Sequence, residues 1–133
     1  MLDLVDIFTK DNANEALKSF VKKDNGVTSD GLKVSDLKEF WDLNGKQAVL
    51  EVLSGKYKPS IVKNVEITND KGKRRTISIL GAMDRIISRM IAQELQAFFE
   101  SKFSERCYAY RNGLGVQEAL KKASEFIEKE RVL

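Results

Sequence analysis

The sequence predicts an α+β fold that is mainly helical: several short N-terminal helices, one basic β-hairpin, then two longer helices. Apolar residues recur at spacings of three and four over most of the chain, which is the period of an amphipathic helix. Between these helical segments, a run rich in Val, Ile and Thr surrounds a polar turn, as in two paired strands. With 133 residues, the chain has the length of one domain and can bury a core.

Three short helices are predicted in the first part of the chain. The first covers Ala13 to Lys22, and the polar stretch "DNGVTSDG", Asp24 to Gly31, ends it. Ser35 is expected to cap a second helix that continues through Asp42. A third is expected from about Gly45 to Leu53, with Gly55 in the position of a C-cap glycine.

The hairpin is predicted from "EITNDKGKRRTISIL", Glu66 to Leu80. Pro59 prevents a helix from continuing into it, "NDKGK" supplies the turn and "RTISIL" supplies the return strand. Seven cations against two acids lie between Gly55 and Arg75, which predicts an anionic partner. The cations are Lys56, Lys58, Lys63, Lys71, Lys73, Arg74 and Arg75. Phosphate binding by the tip and a merely solvated turn both agree with this charge.

Two longer helices are predicted after the hairpin. The first begins near Asp84 and ends near Ser104, and the connector "RCYAYRNGLG" follows it. The second runs from Val116 to about Glu130. We expect both helices to bury their apolar residues in the core. These are Phe98, Phe99 and Phe103 around the end of the first helix, and Val116, Ala119, Leu120, Ala123, Phe126 and Ile127 in the second.

The composition excludes several classes of site. The chain has no histidine and one cysteine, Cys107, so it has no internal disulfide and no His-based zinc or catalytic arrangement. Most acidic residues fall on exposed faces of predicted helices, so no catalytic residue, metal ligand or cofactor is predicted. The first residues, Met1-Leu-Asp-Leu, lack the basic n-region of a signal peptide, and no run approaches the roughly 18 apolar residues of a membrane span. We therefore expect a cytoplasmic protein without a membrane partner.

Five stretches, in this order, resemble the N-terminal blocks of bacterial reverse transcriptases, above all those encoded by group II introns. They are "NGVTSDGLKVSDLKEF" (25–40), "LSGKYKP" (53–59), "VEITNDKGKRRTISI" (65–79), "AMDRIISRMIAQELQAFFESKF" (82–103) and "CYAYRNGLGVQEAL" (107–120). In that family these blocks form the fingers and the start of the palm of a right-hand polymerase. The resemblance implies an N-terminal helical RNA-binding extension, residues 1–54, and a fingers hairpin with its following helices, residues 55–133, in one compact unit.

The resemblance also implies roles for particular residues. Arg75 matches the arginine that contacts the triphosphate of the incoming dNTP, and Lys71, Lys73 and Arg74 are expected to bind there with it. RNA contacts are expected at five further residues: Arg85, Arg111, Tyr110, Lys56 and Lys58.

Two positions depart from the family pattern. Asn69 stands where the family has a lysine on the first strand, which leaves the triphosphate role of that lysine in doubt or passed to Lys71 or Lys73. Ala109 replaces the glycine of a Tyr-Gly-Phe-Arg motif, so the backbone at this position is not expected to have a positive φ.

In the family, the first metal-binding aspartate follows the helix that here ends at "EKERVL". The chain is therefore expected to be a fragment of a nucleotidyltransferase without its own cofactor, whereas the parent enzyme would use magnesium. Expected partners are the RNA template, the template–primer duplex, dNTP, the missing palm domain and a second copy of the chain. Intron maturases, retron-type enzymes and defence-associated relatives are all candidates for the parent.

Two other functions are compatible with the sequence. One is a non-enzymatic RNA-binding maturase or splicing module, which the departure at Asn69 favours. The other is a protein-interaction domain in which the basic tip only makes the hairpin soluble.

Overall fold

The computed structural model describes residues 2–21 and 26–131. Within them the fold is α+β and mainly helical, as predicted. The helices are α1 (Leu4–Ile7), α2 (Lys10–Val21), α3 (Leu37–Leu53), α4 (Ala82–Glu100) and α5 (Val116–Glu130), and the strands are β1 (Lys63–Thr68) and β2 (Arg74–Ile79). The strands pair as an antiparallel hairpin. Lys22, Asp24 and Asn25, which belong to the predicted helix end and turn, lie outside the described residues.

Helix α3 is one continuous helix where two were predicted. The predicted interruption between Asp42 and Gly45 is wrong. Gly45 lies inside the helix against the indole of Trp41, where an added Cβ would stand 2.6 Å from Trp41 Cδ2. The glycine therefore serves close packing inside a helix rather than a turn. Ser35 is not the cap, since it lies in a 3-10 turn whose last residue, Asp36, precedes α3. Gly55 has φ of 71° just after the helix end, as expected of a C-terminal glycine.

The described chain forms two compact units, Met1–Glu94 and Leu95–Leu133. The buried core lies in the first unit, where α2, the start of α3 and the first half of α4 meet. Its members are Ile7, Ala13, Ala16, Leu17, Val34, Leu37, Ala82, Ile86 and Met90. Asn12 is buried with them, and its Nδ2 donates to the carbonyls of Ile7 at 2.7 Å and Met90 at 3.0 Å. The division of roles between residues 1–54 and 55–133 stays a prediction.

The second unit contradicts the expected burial. Helix α5 has the predicted bounds, but none of its residues is buried, and Val116 is 73% exposed. The three phenylalanines expected in the core, Phe98, Phe99 and Phe103, are 38–41% exposed. Helical periodicity shows which face of a helix is apolar, whereas burial also needs a second layer to cover that face.

The carboxylate of Asp84, in the first turn of α4, anchors the segment that leads into the hairpin. Asp84 is 8% exposed. Its Oδ1 accepts a 2.6 Å hydrogen bond from the Tyr57 hydroxyl, and its Oδ2 accepts a 2.7 Å bond from the backbone N–H of Ser60. Burial and the bond to Asp84 raise the pKa of Tyr57 above its ordinary value of 10.0. The hydroxyl therefore stays protonated and donates at neutral pH.

A second group of hydrogen bonds holds both ends of the hairpin from the loop before α3. The N–H of Ser29 donates to the Leu80 carbonyl at 3.0 Å, and the Ser29 hydroxyl donates to the Ile61 carbonyl at 3.0 Å. The carboxylate of Asp30 accepts from the N–H of Ala82 at 3.1 Å, so it satisfies an otherwise unpaired donor at the start of α4. The residues before β1 and after β2 are thus hydrogen-bonded to the same part of the first unit, the start of α4 and the loop before α3.

Replacing Tyr57 by phenylalanine is expected to lower the free energy of unfolding by about 1–2 kcal/mol, because the buried carboxylate loses one of its two donors. Urea denaturation at neutral pH measures this. Tyr110→Phe, at a fully exposed tyrosine, is the matched control and should change stability by less than about 0.5 kcal/mol. If the Tyr57 variant and the control had equal free energies of unfolding, the stabilising role of the hydrogen bond between Tyr57 and Asp84 would be contradicted.

The pH dependence gives a separate test of the same contact. The pKa of Tyr57 is higher in the folded chain than in the unfolded chain, so its contribution is complete below pH 10.0 and is lost as the pH rises through the folded pKa. The stability difference between the unsubstituted chain and Tyr57→Phe should therefore stay constant from about pH 6 to about pH 9 and shrink above pH 10. A difference that falls on acidification within that range would contradict this assignment.

Candidate nucleotide and RNA interface

The register of the hairpin places its two neighbouring arginines on opposite faces. Arg75 is paired with Ile67, and Arg74 is paired with Thr68. Because directly paired residues share a face and successive residues alternate, the Arg75 face is largely apolar and the Arg74 face is polar. The Arg75 face also carries Lys63, Val65, Ile77 and Ile79, and the Arg74 face carries Asn64, Glu66, Thr76 and Ser78.

The cations of the tip differ in their partners. Arg74 forms an ion pair with Glu66, with 3.9 Å between Nη1 and Oε2, and both side chains are largely exposed. Among the described residues, Lys71, Lys73 and Arg75 have no ion pair, and all three are exposed. Positive charge is therefore concentrated at the tip and on the Arg75 face, while Glu66 offsets the charge of Arg74.

Asn69 builds the turn of the hairpin. Its side-chain Oδ1 accepts hydrogen bonds from the backbone N–H groups of Lys71 at 3.1 Å and Lys73 at 2.8 Å. Its own N–H donates to the Lys73 carbonyl at 3.0 Å, and the Gly72 N–H donates to the Asn69 carbonyl at 2.9 Å. Gly72 has φ of 74°, a conformation that glycine adopts without steric strain. Asn69, which stands where the resemblance predicts a lysine, thus orders the backbone that carries Lys71 and Lys73.

Three of the residues expected to bind RNA lie near the anchored base of the hairpin. Lys56 and Lys58 are exposed and flank Tyr57, whose hydroxyl is bound to Asp84. Arg85 follows Asp84 in α4, and its guanidinium carbon lies 5.0 Å from the centroid of the Phe20 ring. This cation–π contact gives Arg85 a defined position on the first unit.

Arg111 is held within the second unit by its own hydrogen bonds. Its Nη2 and Nε donate to Glu100 Oε1 at 2.8 and 3.2 Å, and its Nη1 donates to the carbonyls of Cys107 at 2.9 Å and Ser104 at 3.1 Å. The side chain is 13% exposed and lies over the Phe103 ring. The hydrogen bond to Glu100 raises the pKa of Arg111. Four of its five N–H donors are used, so Arg111 organises the connector between α4 and α5.

Tyr110, next to Arg111, is fully exposed and has φ of 58°. Among the described residues it is the one non-glycine residue with a positive φ, so Ala109 does not need one, as predicted. No residue type in this stretch signals the conformation of Tyr110, because tyrosine rarely adopts it. Tyr110 was therefore a candidate from its side-chain type, whereas its unusual backbone conformation was not predicted.

Asp84 and Tyr57 are structurally important residues that the sequence reasoning did not connect. The sequence predicts only that a helix begins near Asp84, and it predicts no role for Tyr57. They lie 27 residues apart, and each belongs to a segment whose local pattern gives no sign of the other. Beside them lies an open pocket of about 410 Å³, lined mostly by apolar side chains of α3, α4 and the hairpin ends.

The described residues contain no group of three or more His, Cys, Asp or Glu side chains placed to bind a metal ion. Nor do they contain a helix that combines the length and apolar character needed to cross a membrane. No protein-family model matches the chain, and no curated protein is significantly similar to it.

Replacing Asn69 by alanine is expected to disorder the tip, because the N–H groups of Lys71 and Lys73 lose their shared acceptor. The expected cost is about 0.5–1.5 kcal/mol of local stability. Amide hydrogen exchange of the β1 and β2 residues, followed by NMR, measures it. Asp70→Ala, at the exposed neighbouring position, is the control and should leave protection unchanged. Unchanged protection in the Asn69 variant would contradict its role in the turn.

Proposed function

We propose that this chain is the fingers region of a group II intron-type RNA-directed DNA polymerase. In this role it binds template RNA and the triphosphate of the incoming dNTP, and it does not catalyse nucleotide transfer alone. The resemblance of five ordered stretches motivates the proposal. The structural observation that carries it is the hairpin itself. It presents Lys71, Lys73 and Arg75 at an exposed tip, and both of its ends are hydrogen-bonded to the start of α4 and the loop before α3.

The chemistry of a triphosphate fits this tip. A guanidinium group holds phosphate oxygens in a bidentate fork, and lysines add compact positive charges. Phosphoryl transfer is accelerated by cations already positioned where negative charge develops, so a fixed hairpin suits the task better than a flexible tail does. Arg75 is the favoured triphosphate contact, because its charge has no acidic partner among the described residues, whereas Glu66 accompanies Arg74.

The RNA contacts belong to the same proposal. Lys56 and Lys58 would bind phosphates beside the base of the hairpin, and Arg85 would lie near the template path. Contact through Arg111 would use its one remaining N–H donor, since Glu100 and two backbone carbonyls occupy the other four. Magnesium would be bound by carboxylates of the parent enzyme, and no residue of this chain is assigned to it. A cytoplasmic location is part of the proposal.

A second candidate is an RNA-binding maturase module without nucleotide chemistry. The observation that favours it is Asn69, whose amide oxygen is used for the turn rather than for a ligand. Primer extension on an RNA template by a longer protein that contains this chain would exclude this candidate. RNA binding without extension, in a protein that contains the family's aspartates, would support it.

Within such a longer enzyme, Arg75→Ala is expected to raise the KM for dNTP by about 10-fold to 100-fold, which corresponds to the loss of a charge-assisted hydrogen bond. Steady-state primer extension at varied dNTP concentration measures this effect. Arg74→Ala is the matched control and should change KM by less than about threefold, because the register places Arg74 on the face of the hairpin opposite to Arg75. An unchanged KM in the Arg75 variant would remove the triphosphate role.

The chain alone is expected to bind RNA with a strong dependence on salt. Counterion release predicts that log K falls with log salt concentration by about 0.7 for each neutralised phosphate of a single strand. Fluorescence anisotropy of a labelled RNA template–primer measures the slope. The double substitution Lys56→Ala and Lys58→Ala should reduce its magnitude by about 1–2, whereas Lys121→Ala, on the exposed face of α5, should not. No binding at low salt and micromolar protein would contradict the RNA-binding role.

A further inference from the structure

Tyr110 combines complete exposure with a backbone conformation that is unfavourable for an aromatic residue. Its φ of 58° lies in the left-handed region, where the Cβ of an L-residue approaches the following carbonyl. Glycine or asparagine would fill this position with less strain. The ring also contributes nothing to a core, because the residue is 100% exposed. Neither local backbone preference nor burial accounts for a tyrosine here.

The neighbouring residues hold this conformation in place. Arg111 bridges the carbonyls of Ser104 and Cys107 to the carboxylate of Glu100, so both sides of the connector are tied to the end of α4. The Cys107 N–H also donates to the Ser104 carbonyl at 2.9 Å. Strained residues persist where the surrounding contacts fix the backbone, and they are concentrated at binding sites. Arg111 thus acts as a positioning residue for the tyrosine beside it.

We propose that Tyr110 is a preorganised stacking platform for an unpaired base of single-stranded RNA. Stacking needs an accessible ring face, and complete exposure provides it. Double-stranded RNA keeps its bases stacked inside the helix, so an exposed aromatic residue selects unpaired nucleotides. Lys102, just after α4, and Arg106, the first residue of the connector, are both exposed and would supply cations for the adjoining phosphates. This inference rests on the RNA-binding part of the proposed function and assigns it a ligand class.

The fixed backbone explains how the platform would gain affinity. A tyrosine on a flexible loop loses conformational freedom when a base stacks on it, whereas a ring whose backbone is already fixed loses less. Because every base has a flat aromatic surface, such a platform accepts any base. The platform is therefore expected to distinguish unpaired from paired RNA without reading sequence.

The test uses the full chain and two labelled probes in fluorescence anisotropy, a single-stranded oligouridylate of about 12 nucleotides and an abasic oligomer of the same length. Tyr110→Asn removes the ring and suits the positive φ, so its thermal unfolding midpoint should equal or exceed that of the unsubstituted chain. Its affinity for oligouridylate should fall by about 5-fold to 100-fold, and its affinity for the abasic probe should not change.

Two matched variants separate the ring from other effects. Tyr110→Phe keeps the stacking surface and should retain affinity within about twofold. Asn112→Ala, at an exposed position in the same connector, should bind both probes as the unsubstituted chain does. We expect Tyr110→Phe to keep the affinity for oligouridylate and Tyr110→Asn to lose it without a loss of stability. A merely structural role of Tyr110 would not give this pair of results.

Several results would overturn the platform. One is an unchanged affinity of Tyr110→Asn for oligouridylate. The ring would then be assigned to contact with a protein partner, while the salt-dependent RNA binding would stand. Another is an equal loss of affinity of Tyr110→Asn for the abasic probe, which would assign the effect to contacts with the sugar–phosphate backbone of the RNA rather than to stacking on a base. If the unsubstituted chain binds neither probe at low salt, the RNA-binding function fails and the platform fails with it.

Discussion

The hydrogen-bonded carboxylate of Asp84 is the interaction on which the geometry of the hairpin depends. A buried carboxylate is unfavourable unless donors surround it, and here the donors come from Tyr57 and Ser60, immediately before β1. The same helix start is tied through Asp30 to the loop that holds the other end of the hairpin. A two-stranded hairpin is marginally stable by itself. Its direction is therefore decided at its base, by hydrogen bonds, rather than by apolar burial along its strands.

This constraint bears on the proposed binding of phosphates by the charged tip. Cations on a solvated turn attract anions in any geometry, but a turn fixed at its base and ordered by Asn69 presents them in one arrangement. Binding then requires less ordering of the protein, and more of the electrostatic attraction appears as affinity. In the proposed role, the alternation of side chains along β2 would add selectivity, because only one of the two neighbouring arginines, Arg75, lies on the face opposite to Glu66.

The sequence predicted those features that depend on local chemistry. Pro59, Gly72 and the alternating strand residues identify the hairpin, and periodicity identifies α4 and the bounds of α5. Features that depend on side-chain packing or on distant partners were not predicted. Gly45 packs against Trp41, four residues earlier in the same helix, and the partners of Asp84 lie in another segment. For the candidate site, side-chain types were predictable, whereas the ion pair of Arg74 required the register of the strands.

The second unit shows how aromatic residues can remain exposed without forming a core. Lys102 lies over Phe98, Arg111 over Phe103, and both Arg106 and Lys122 over Phe126. The charged group of each cation lies 5.1–6.0 Å from the centroid of its ring and interacts with the ring electrons, so these rings have a partner at the surface. Tyr110 differs from them, because in the described part of the chain no cation lies over its ring. In the proposed platform a base would displace only water from Tyr110, whereas stacking on the phenylalanines would first have to displace a cation from the ring.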